Sequence, residues 1–370
     1  MATLLTGATG FLGGQLCAEL LKEEDTPVYC LVRAPDRTTA ARRLHARLSA
    51  ADATEESIRR AVPVVGDITR SDLGLAPGTR DELASSVTDI VHCAASINMS
   101  APYDQLVRPN VEGTLLLLDL AERRAGLGGD PVHFHFVSSV GVFLHARRTG
   151  LSEVDEAVTP DPPMADSWGY ALSKITAEAE LRAAAAQGLP LTVHRPGLIT
   201  AHSRTGRTMV EADTLAVLAQ AVVVLGVAPD TTSWFPLDTV DTIARGMAAL
   251  RSRENTGHTY HHVRPTPVPF SHIFDALRTL GYRLPTVSTD LWWRHVAARA
   301  DDPGVSRLAI LTDVAKPALT NGHTPDIRSD RTWDVLTRTG LNPPPLDHDH
   351  FCRFIAHLIA EGTLPPPVGA

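Results

Sequence analysis

The chain opens with the stretch Met1–Gly14, MATLLTGATGFLGG, in which an apolar run is followed by regularly spaced glycines. The apolar run at 3–5 predicts a buried strand, and leucines at helical spacing after the glycines predict a helix. We expect Gly7 to allow a tight turn, Gly10 to let the backbone approach a pyrophosphate, and Gly13 to let the helix pack closely. Strand, glycine turn and helix together predict a dinucleotide site, with the pyrophosphate at the helix N-terminus.

Length and composition indicate a globular α/β enzyme. The 370 residues suggest two domains, or one large domain with an appended cap. The formal net charge of −8 argues against a nucleic-acid partner. The longest apolar run, 215–228, is too short to span a bilayer, so we interpret it as a core or cap helix and expect no membrane association. Four scattered cysteines and the absence of a signal peptide favour a cytoplasmic protein with reduced thiols.

Strands and helices alternate through the first half of the chain, which predicts a Rossmann-type doubly wound parallel sheet. We assign residues 1–202 to this domain and expect 236–265 to return to it. Residues 203–370 are predicted to form a smaller, mainly helical C-terminal cap that binds substrate. After the first strand, the predicted sheet strands are 28–32, 62–65, 87–93, 132–137 and 191–194, with a late strand at 259–263. The predicted helices of the second half are 209–225, 240–250, 271–280, 290–299, 329–339 and 348–361.

The end of the second strand carries Arg33, twenty residues beyond Gly13. An NAD site usually has an acid near this position, whereas a guanidinium can grip a ribose 2′-phosphate. The sequence therefore predicts NADPH, although a solvated strand-end charge is an alternative for Arg33. Arg43, on the following helix, is expected to fold back to the same phosphate, and Asp67 is expected to accept a hydrogen bond from the adenine amino group.

Small residues follow the fourth strand at 94–96, where they would let a cofactor lie across the strand end. Asn110 precedes the next predicted helix and can be a simple N-terminal cap. His133 and His135 share one face of the fifth strand. We interpret them as buried strand histidines and predict no metal site, since no third ligand is placed nearby.

Tyr170 and Lys174 are four residues apart and lie on one face of a predicted helix, while Ser139 ends a strand. This combination is typical of carbonyl reductases: the serine hydroxyl orients the substrate oxygen, and the tyrosine donates a proton as hydride arrives. The lysine is expected to lower the pKa of the phenol and to hold the nicotinamide ribose. The acid- and proline-rich segment 152–166 is expected to be a loop that acts as a mobile lid.

Several motifs make the chain resemble the thioester reductase domains of nonribosomal peptide synthetases and carboxylic acid reductases, in the extended short-chain dehydrogenase/reductase superfamily. They are LLTGATGFLGGQL, CLVRA, VVGDI, HCAASIN, PYDQL, NVEGT, VSSVGV, WGYALSKITAE and HRPGLITAHSRTG. They are dense up to about Gly206, and beyond it FPLDTVDTIARGM extends the match. The resemblance implies NADPH-dependent release of a phosphopantetheine-bound thioester from an acyl or peptidyl carrier protein. The product would be an aldehyde, with further reduction to an alcohol left open.

The resemblance also implies roles for individual residues. Ser139, Tyr170 and Lys174 take the catalytic positions, with Ser139 standing where the family commonly has threonine. The cofactor positions are Gly7, Ala8, Thr9, Gly10, Phe11, Leu12, Gly13, Arg33, Arg43, Asp67, Ile68, Ala94, Ala95, Ser96, Asn110, Tyr170, Lys174, Pro196, Gly197 and Leu198. Because Met1 abuts the first strand, we expect a free-standing enzyme or an excised domain. A free-standing enzyme would meet its carrier in trans or use a coenzyme A thioester.

Three other functions stay open at this point. A nucleotide-sugar epimerase or dehydratase would favour NAD and an acid near position 33. A fatty acyl-coenzyme A reductase would share the catalytic residues. A non-enzymatic NADPH sensor or scaffold would typically lack the tyrosine or the lysine, and both are present here.

Two expectations concern the cap. The predicted helix 209–225 is expected to wall a substrate channel through Val222, Val223 and Leu225, with burial in the core as the alternative. A carrier protein is typically acidic and this chain is acidic too, so docking would need a local basic patch. The candidates for that patch are Arg294, Arg299 and Arg307.

Overall fold

A computed structural model describes residues 2–23, 26–76, 78–319 and 324–367. The strands are β1 (Ala2–Thr6), β2 (Val28–Val32), β3 (Ala61–Val65), β4 (Val87–His92), β5 (His133–Val137), β6 (Glu153–Val154), β7 (Leu191–Pro196), β8 (Leu198–Thr200), β9 (Ala228–Asp230), β10 (Trp234–Phe235), β11 (Leu237–Thr239), β12 (Thr259–His262), β13 (Val268–Pro269), β14 (Thr286–Ser288) and β15 (Asp326–Ile327).

The helices alternate with these strands in the first half and dominate the second. They are α1 (Phe11–Glu23), α2 (Arg37–Ala50), α3 (Glu55–Arg60), α4 (Thr79–Ser86), α5 (Tyr103–Leu106), α6 (Gly113–Gly126), α7 (Gly169–Ala186), α8 (Thr214–Leu225), α9 (Val240–Ala249), α10 (Ser271–Thr279), α11 (Thr289–Ala298), α12 (Ser306–Ile310), α13 (Thr312–Leu319), α14 (Asp330–Arg338) and α15 (His348–Ala360). A π-helical segment, Val107–Glu112, joins α5 to α6. No helix in the described part of the chain is long and apolar enough to cross a membrane.

Seven parallel strands form the central sheet in the order β12-β7-β5-β4-β1-β2-β3. Apolar side chains of α1, α2 and α9 cover one face, and those of α4, α6 and α7 cover the other. A parallel sheet covered on both faces needs apolar strands, which explains the continuous runs seen in the sequence. The predicted Rossmann-type doubly wound sheet is confirmed.

The second half of the chain contributes to both parts of the molecule. β12 pairs with β7 at the edge of the sheet, and α9 packs on α1. A separate apolar core lies among α8, α10, α11 and α15, with Trp292 and Phe354 fully buried in it. Beside it, β11 pairs with β8, directly after the sheet strand β7. The cap is therefore attached to the sheet by several crossings of the chain.

The predicted helix 209–225 begins five residues later than expected, at Thr214. The carboxylate of Asp213 accepts a hydrogen bond from the backbone N–H of Leu215 at 2.9 Å, which caps the helix. The apolar pattern of the sequence continues upstream of this cap, so periodicity alone placed the start too early.

The segment 152–166, expected to be a mobile lid, is instead anchored near its beginning. β6 pairs with β15, and Val154 is fully buried. The buried carboxylate of Glu156 accepts hydrogen bonds from the N–H and hydroxyl of Thr332, both at 2.9 Å. The acids and prolines predicted a loop correctly, but long-range pairing to the C-terminal part anchors it.

A row of buried histidines crosses one face of the sheet: His133, His135, His194 and His262. His135 Nδ1 lies 3.3 Å from His194 Nε2, and His194 Nδ1 lies 3.0 Å from His262 Nε2. Burial lowers the pKa of His133 to about 4 and that of His262 to about 3, and it holds the pKa of the two central rings well below the ordinary value. The folded protein therefore keeps these rings neutral at neutral pH.

This row predicts a loss of stability in acid. Below about pH 6.5 the histidines of the unfolded chain bind protons, whereas these four buried histidines of the folded chain stay neutral. The free energy of unfolding therefore falls as the pH drops from about 6.5 toward 4. We expect the urea midpoint to decrease over this interval, with more than one proton taken up on unfolding. Tryptophan fluorescence and circular dichroism should give coincident transitions. A midpoint unchanged between pH 7.5 and 5 would contradict this assignment.

Candidate functional site

The glycine turn between β1 and α1 is closed so tightly that side chains are excluded. Gly7 has a φ of +79°, and a Cβ on it would lie 2.8 Å from the backbone nitrogen of Ala94. A Cβ on Gly13 would lie 2.2 Å from the carbonyl oxygen of Gly7. The N–H of Gly10 donates to that same carbonyl at 2.8 Å. The turn thus brings bare backbone to the N-terminus of α1, the arrangement that accepts a pyrophosphate.

A buried hydrogen-bond network fixes this turn against β4. Thr114 donates its hydroxyl proton to the Asn110 carbonyl at 2.7 Å, so it accepts from His92 Nε2 at 3.0 Å. The other ring nitrogen of His92 then accepts from Thr6 at 2.8 Å, and the Thr6 hydroxyl accepts from the N–H of Ala94 at 3.0 Å. Burial lowers the pKa of His92 to about 3, so the ring is neutral as the network requires. In the sequence, nothing near His92 distinguishes it from an ordinary strand residue.

The alternative interpretation of Asn110 as an N-terminal cap is wrong. It lies within the π-helical segment, where its side-chain oxygen accepts from the N–H of Ser96 at 2.7 Å. Its amide group donates to the Ser96 carbonyl at 3.1 Å and to the Ser173 hydroxyl at 2.9 Å. Asn110 thus ties the loop after β4 to α7, and it lies behind the cavity rather than among the residues that line it.

The far end of the turn carries the predicted nucleotide-recognition residues. The guanidinium of Arg43 donates to the Arg33 carbonyl at 2.7 Å, and both arginine side chains are exposed at the cavity. Asp67 accepts from the N–H of Thr69 at 2.9 Å and from its hydroxyl at 2.8 Å. Partial burial raises the pKa of Asp67, but these bonds and the charge of Arg33 outweigh it and lower the pKa overall. Two cations and one carboxylate therefore surround this end.

The predicted catalytic residues meet at the carboxyl end of β5. Tyr170 and Lys174 are buried on α7, and the ammonium of Lys174 donates to the Val137 carbonyl at 2.9 Å. The same ammonium lies 4.9 Å from the centre of the Phe136 ring. Ser139 caps the turn that follows β5, with its hydroxyl accepting from the N–H of Gly141 at 3.0 Å. All three catalytic candidates line one cavity.

The pKa values of this trio differ from expectation. Burial raises the pKa of Tyr170 to about 12, and its interaction with the Ser139 hydroxyl opposes part of that rise. Burial also lowers the pKa of Lys174 to about 8. A lowered pKa of the phenol is not observed, because burial is the largest effect and raises this pKa overall. The tyrosine is therefore held in its protonated, proton-donating form.

A buried ion pair holds α7 in place. Arg195 on β7 donates to both carboxylate oxygens of Glu178, at 3.0 and 2.7 Å, and both side chains are almost fully buried. Arg195 also donates to the Val158 carbonyl at 3.0 Å. Burial raises the pKa of Glu178, but the charge and hydrogen bonds of Arg195 outweigh it, so the pKa is lowered overall and the carboxyl stays ionised. No local sequence pattern indicates this pair, because its members lie on different elements.

The cavity of about 620 Å³ extends from the glycine turn to the cap. Of the predicted cofactor residues, Ala8 is fully buried beneath the turn and, like Asn110, does not line it. Gly197 does, and a Cβ there would lie 2.2 Å from the Pro236 carbonyl, so the chain can pass this point only with glycine. The other predicted residues along its wall are Gly7, Thr9, Gly10, Phe11, Leu12, Gly13, Arg33, Arg43, Asp67, Ile68, Ala94, Ala95, Ser96, Tyr170, Lys174, Pro196 and Leu198.

Helix α8 does wall the cavity, but not through the residues that were predicted. Thr214, Leu215 and Leu218 line it from the first turns of the helix. Val222 lies one turn further along, completely buried in the cap core, and Val223 and Leu225 pack against that core. The alternative interpretation of these valines as core residues was therefore the right one.

The proposed basic patch is largely committed to internal contacts. Arg299 donates to the Val224 carbonyl and to the Asp302 carboxylate, both at 2.7 Å. Arg307 donates to the Glu211 carbonyl at 2.9 Å. These bonds hold the chain around α8. The docking role of Arg294, Arg299 and Arg307 stays a prediction.

A third potential ligand does lie beside the strand histidines, contrary to expectation. One donor atom each from Asp89, His133 and His135 lie within 4.8 Å of one another, all buried. Asp89 lies on β4, which pairs with β5 in the sheet. A guanidinium nitrogen of Arg251 lies 4.0 Å from the Asp89 carboxylate. Asp89 and His133 belong to the first half of their strands, away from the carboxyl end where the catalytic trio lies.

A glycine turn at the first strand, with a serine, tyrosine and lysine in the same cavity, defines an oxidoreductase of the short-chain dehydrogenase/reductase type. The sequence profile described as "Male sterility protein", a family of NAD-binding domains, matches residues 5–247. The chain belongs to this family, and within it to the terminal reductase domains of nonribosomal peptide synthetases, which confirms the resemblance seen in the sequence. A nicotinamide dinucleotide is the cofactor type of this family.

Three relatives illustrate the match. The terminal R domain of the myxalamid PKS-NRPS pathway has a TM-score of 0.90 and 32% identity, covering 99% of this chain and 92% of that one. Isonitrile lipopeptide synthase of Streptomyces coeruleorubidus is 35% identical over 99% of this chain, which spans 25% of that protein's length. A thiolation-reductase di-domain from an archaeal nonribosomal peptide synthetase shares the fold, with a TM-score of 0.79 and 23% identity over 98% of this chain and 76% of that one.

The ion pair yields a test of what positions α7. Glu178→Gln leaves the Arg195 guanidinium buried without a counter-charge, so we expect the free energy of unfolding to fall by about 3–5 kcal/mol. The matched control is Arg182→Gln, which removes a partly exposed cation that lies 3.4 Å from the same carboxylate. That change should cost less than about 1 kcal/mol. If urea denaturation gives the same loss of unfolding free energy for both variants, the contact with Arg195 contributes no more than the contact with Arg182.

Proposed function

We propose that this protein reduces the thioester of a carrier-bound acyl or peptidyl chain with NADPH and releases the aldehyde. The observation that carries the proposal is that Ser139, Tyr170 and Lys174 line the same cavity as the glycine turn. A cofactor on the turn and a carbonyl at the tyrosine would thus share one enclosed space. Membership in the terminal reductase family supports this reaction class.

The residues at the cofactor end fit NADPH. The cradle at Gly7 and Gly13 has no room for a Cβ and presents the backbone and the N-terminus of α1 to a pyrophosphate. Arg33 and Arg43 would hold the 2′-phosphate, which a carboxylate at this position would repel. When bound, the cofactor supplies hydride to the carbonyl carbon.

The catalytic side chains would then act on the thioester oxygen. Ser139 and Tyr170 would both hydrogen-bond this oxygen, and the Tyr170 phenol would donate its proton as negative charge develops. Lys174 would hold the nicotinamide ribose. Addition of hydride and a proton gives a hemithioacetal, and loss of the thiol gives the aldehyde. Overall, one thioester, one NADPH and one proton would give one aldehyde, one thiol and one NADP⁺.

The carrier would deliver its substrate on a phosphopantetheine arm. Support comes from the lipopeptide synthase, of which this chain spans a quarter, and from the archaeal protein in which a thiolation domain accompanies the reductase. The decisive assay incubates the protein and NADPH with carrier-bound and coenzyme A thioesters and identifies the products by mass spectrometry. Aldehyde from the carrier-bound substrate supports the proposal. Preference for the coenzyme A thioester would favour the acyl-coenzyme A reductase alternative.

Cofactor choice is tested at Arg33. Arg33→Ala should weaken NADPH binding by about 1.5–3 kcal/mol, the scale of a hydrogen bond to a charged group, while NADH binding barely changes. Fluorescence titration with both cofactors measures the two losses. Exposed Arg42→Ala, on the same helix as Arg43, is a control that should affect neither. Equal losses for both cofactors in the Arg33 variant would reject a role in 2′-phosphate recognition.

The proton donor is tested at Tyr170. Tyr170→Phe removes the phenolic proton but keeps the ring, so NADPH binding should persist while thioester-dependent NADPH oxidation falls about 10²–10⁴-fold. Ser139→Ala should lose less, since it removes an orienting hydrogen bond. A phenylalanine variant that turns over at the parent rate would eliminate Tyr170 as the acid.

A further inference from the structure

The two ends of the cavity differ in charge. The cofactor end carries Arg33, Arg43 and Asp67. At the opposite end, which we call the cap half, the walls are formed mainly by Leu215, Leu218, Phe235, Phe270, Leu308 and Leu311. Among the described residues that line the cap half, none bears a charge, and the polar groups are the hydroxyls of Thr214 and Thr324. Within the described part of the chain, the cap half therefore presents no ionic partner to a substrate.

Burial makes this difference energetically important. Leu215, Leu218, Phe270 and Leu308 are 1–5% exposed, so their side chains form an enclosed wall and not a surface patch. A charge moved from water into such surroundings without a partner pays a large desolvation penalty. Each methylene placed there gains the ordinary hydrophobic contribution. The wall therefore selects against charged acyl groups more strongly than it selects for longer acyl chains.

The cap half also adjoins the reacting centre. Ser139 and Tyr170 line the same cavity as the cap-half residues. The centre of the Trp168 ring lies 5.4 Å from that of the Tyr170 ring. A thioester carbonyl has two substituents, and its thiol arm must lead out to the carrier. The acyl substituent is the one that can remain enclosed, and the cofactor end is assigned to the dinucleotide.

We propose that the acyl group reduced by this protein is uncharged and aliphatic where it meets the cap half, and that Leu311 is one of the residues that set this preference. This inference rests on the proposed function, since it names the substrate class of that reaction. Leu311 is suited to a test because it is partly exposed and directly follows α12, so a polar replacement should not disrupt the core.

The experiment compares pantetheine thioesters of hexanoic acid, octanoic acid, suberic acid and suberic acid monomethyl ester, with NADPH oxidation followed at saturating cofactor. We expect kcat/KM to rise about tenfold from hexanoyl to octanoyl, given the gain per buried methylene. The ionised suberoyl thioester should be at least about 100-fold poorer than its neutral methyl ester, which has nearly the same shape.

Two variants locate the selectivity. Leu311→Lys places an ammonium in the cap half, so it should improve kcat/KM for the suberoyl thioester at least tenfold and lower it for octanoyl. The matched control is Ile310→Lys, which adds the same charge one residue earlier, on a side chain that is 61% exposed and does not line the cavity. It should leave the ratio between the two substrates unchanged.

The outcomes separate the two proposals. Equal rates for charged and neutral thioesters, or the same shift in both lysine variants, would overturn the inference while thioester reduction stands. If the protein binds NADPH but reduces none of these thioesters and no carrier-bound thioester, the proposed function fails and the inference fails with it. A strong preference of the parent for the neutral thioester, reduced at least tenfold in Leu311→Lys and unchanged in Ile310→Lys, supports both.

Discussion

The bidentate contact between Glu178 and Arg195 is the constraint on which the site depends. It joins α7, which carries Tyr170 and Lys174, to β7, which leads into the Pro196-Gly197 turn of the cavity wall. Apolar packing could hold a helix at the same distance, but two parallel hydrogen bonds also fix its rotation. Because both charges are buried, neither can leave its partner without a large penalty, so the acid and the cofactor wall keep one relative position.

A second set of polar contacts fixes the positions of the loops around the cavity. The chain from Thr6 through His92 and Thr114 reaches Asn110, whose side chain holds Ser96 and the Ser173 hydroxyl on α7. Each member has its donors and acceptors matched, which requires a neutral histidine, and burial supplies that state. The glycine turn, the loop after β4 and the catalytic helix are therefore positioned by one connected network that has no charged member.

Local patterns were enough to predict the parts of the site that are close in sequence. The glycine turn, the pair Tyr170 and Lys174, and the apolar strands each follow from spacing within a few residues. The role of Asn110 in tying loop to helix could not be predicted, because its partners lie 14 and 63 residues away and nothing nearby distinguished it from a helix cap. Val222 was misplaced because an apolar helix pattern does not say which turn meets a cavity and which meets a core. Asp89 reached the strand histidines through sheet pairing, which the sequence does not encode locally.

Burial affects both the pKa of Tyr170, the proposed proton donor, and the kind of acyl group that the cap half would accept. Removing water raises the pKa of Tyr170 to about 12, which guarantees that the phenol carries its proton but makes it a weaker acid. In the proposed reaction this loss of acidity would be tolerable, because hydride addition would form an alkoxide, a stronger base than a phenolate. The same exclusion of water denies solvation to any charged acyl group beyond the tyrosine. An apolar wall is therefore compatible with Tyr170 as the proton donor. A charged side chain in that wall would shift the pKa of Tyr170.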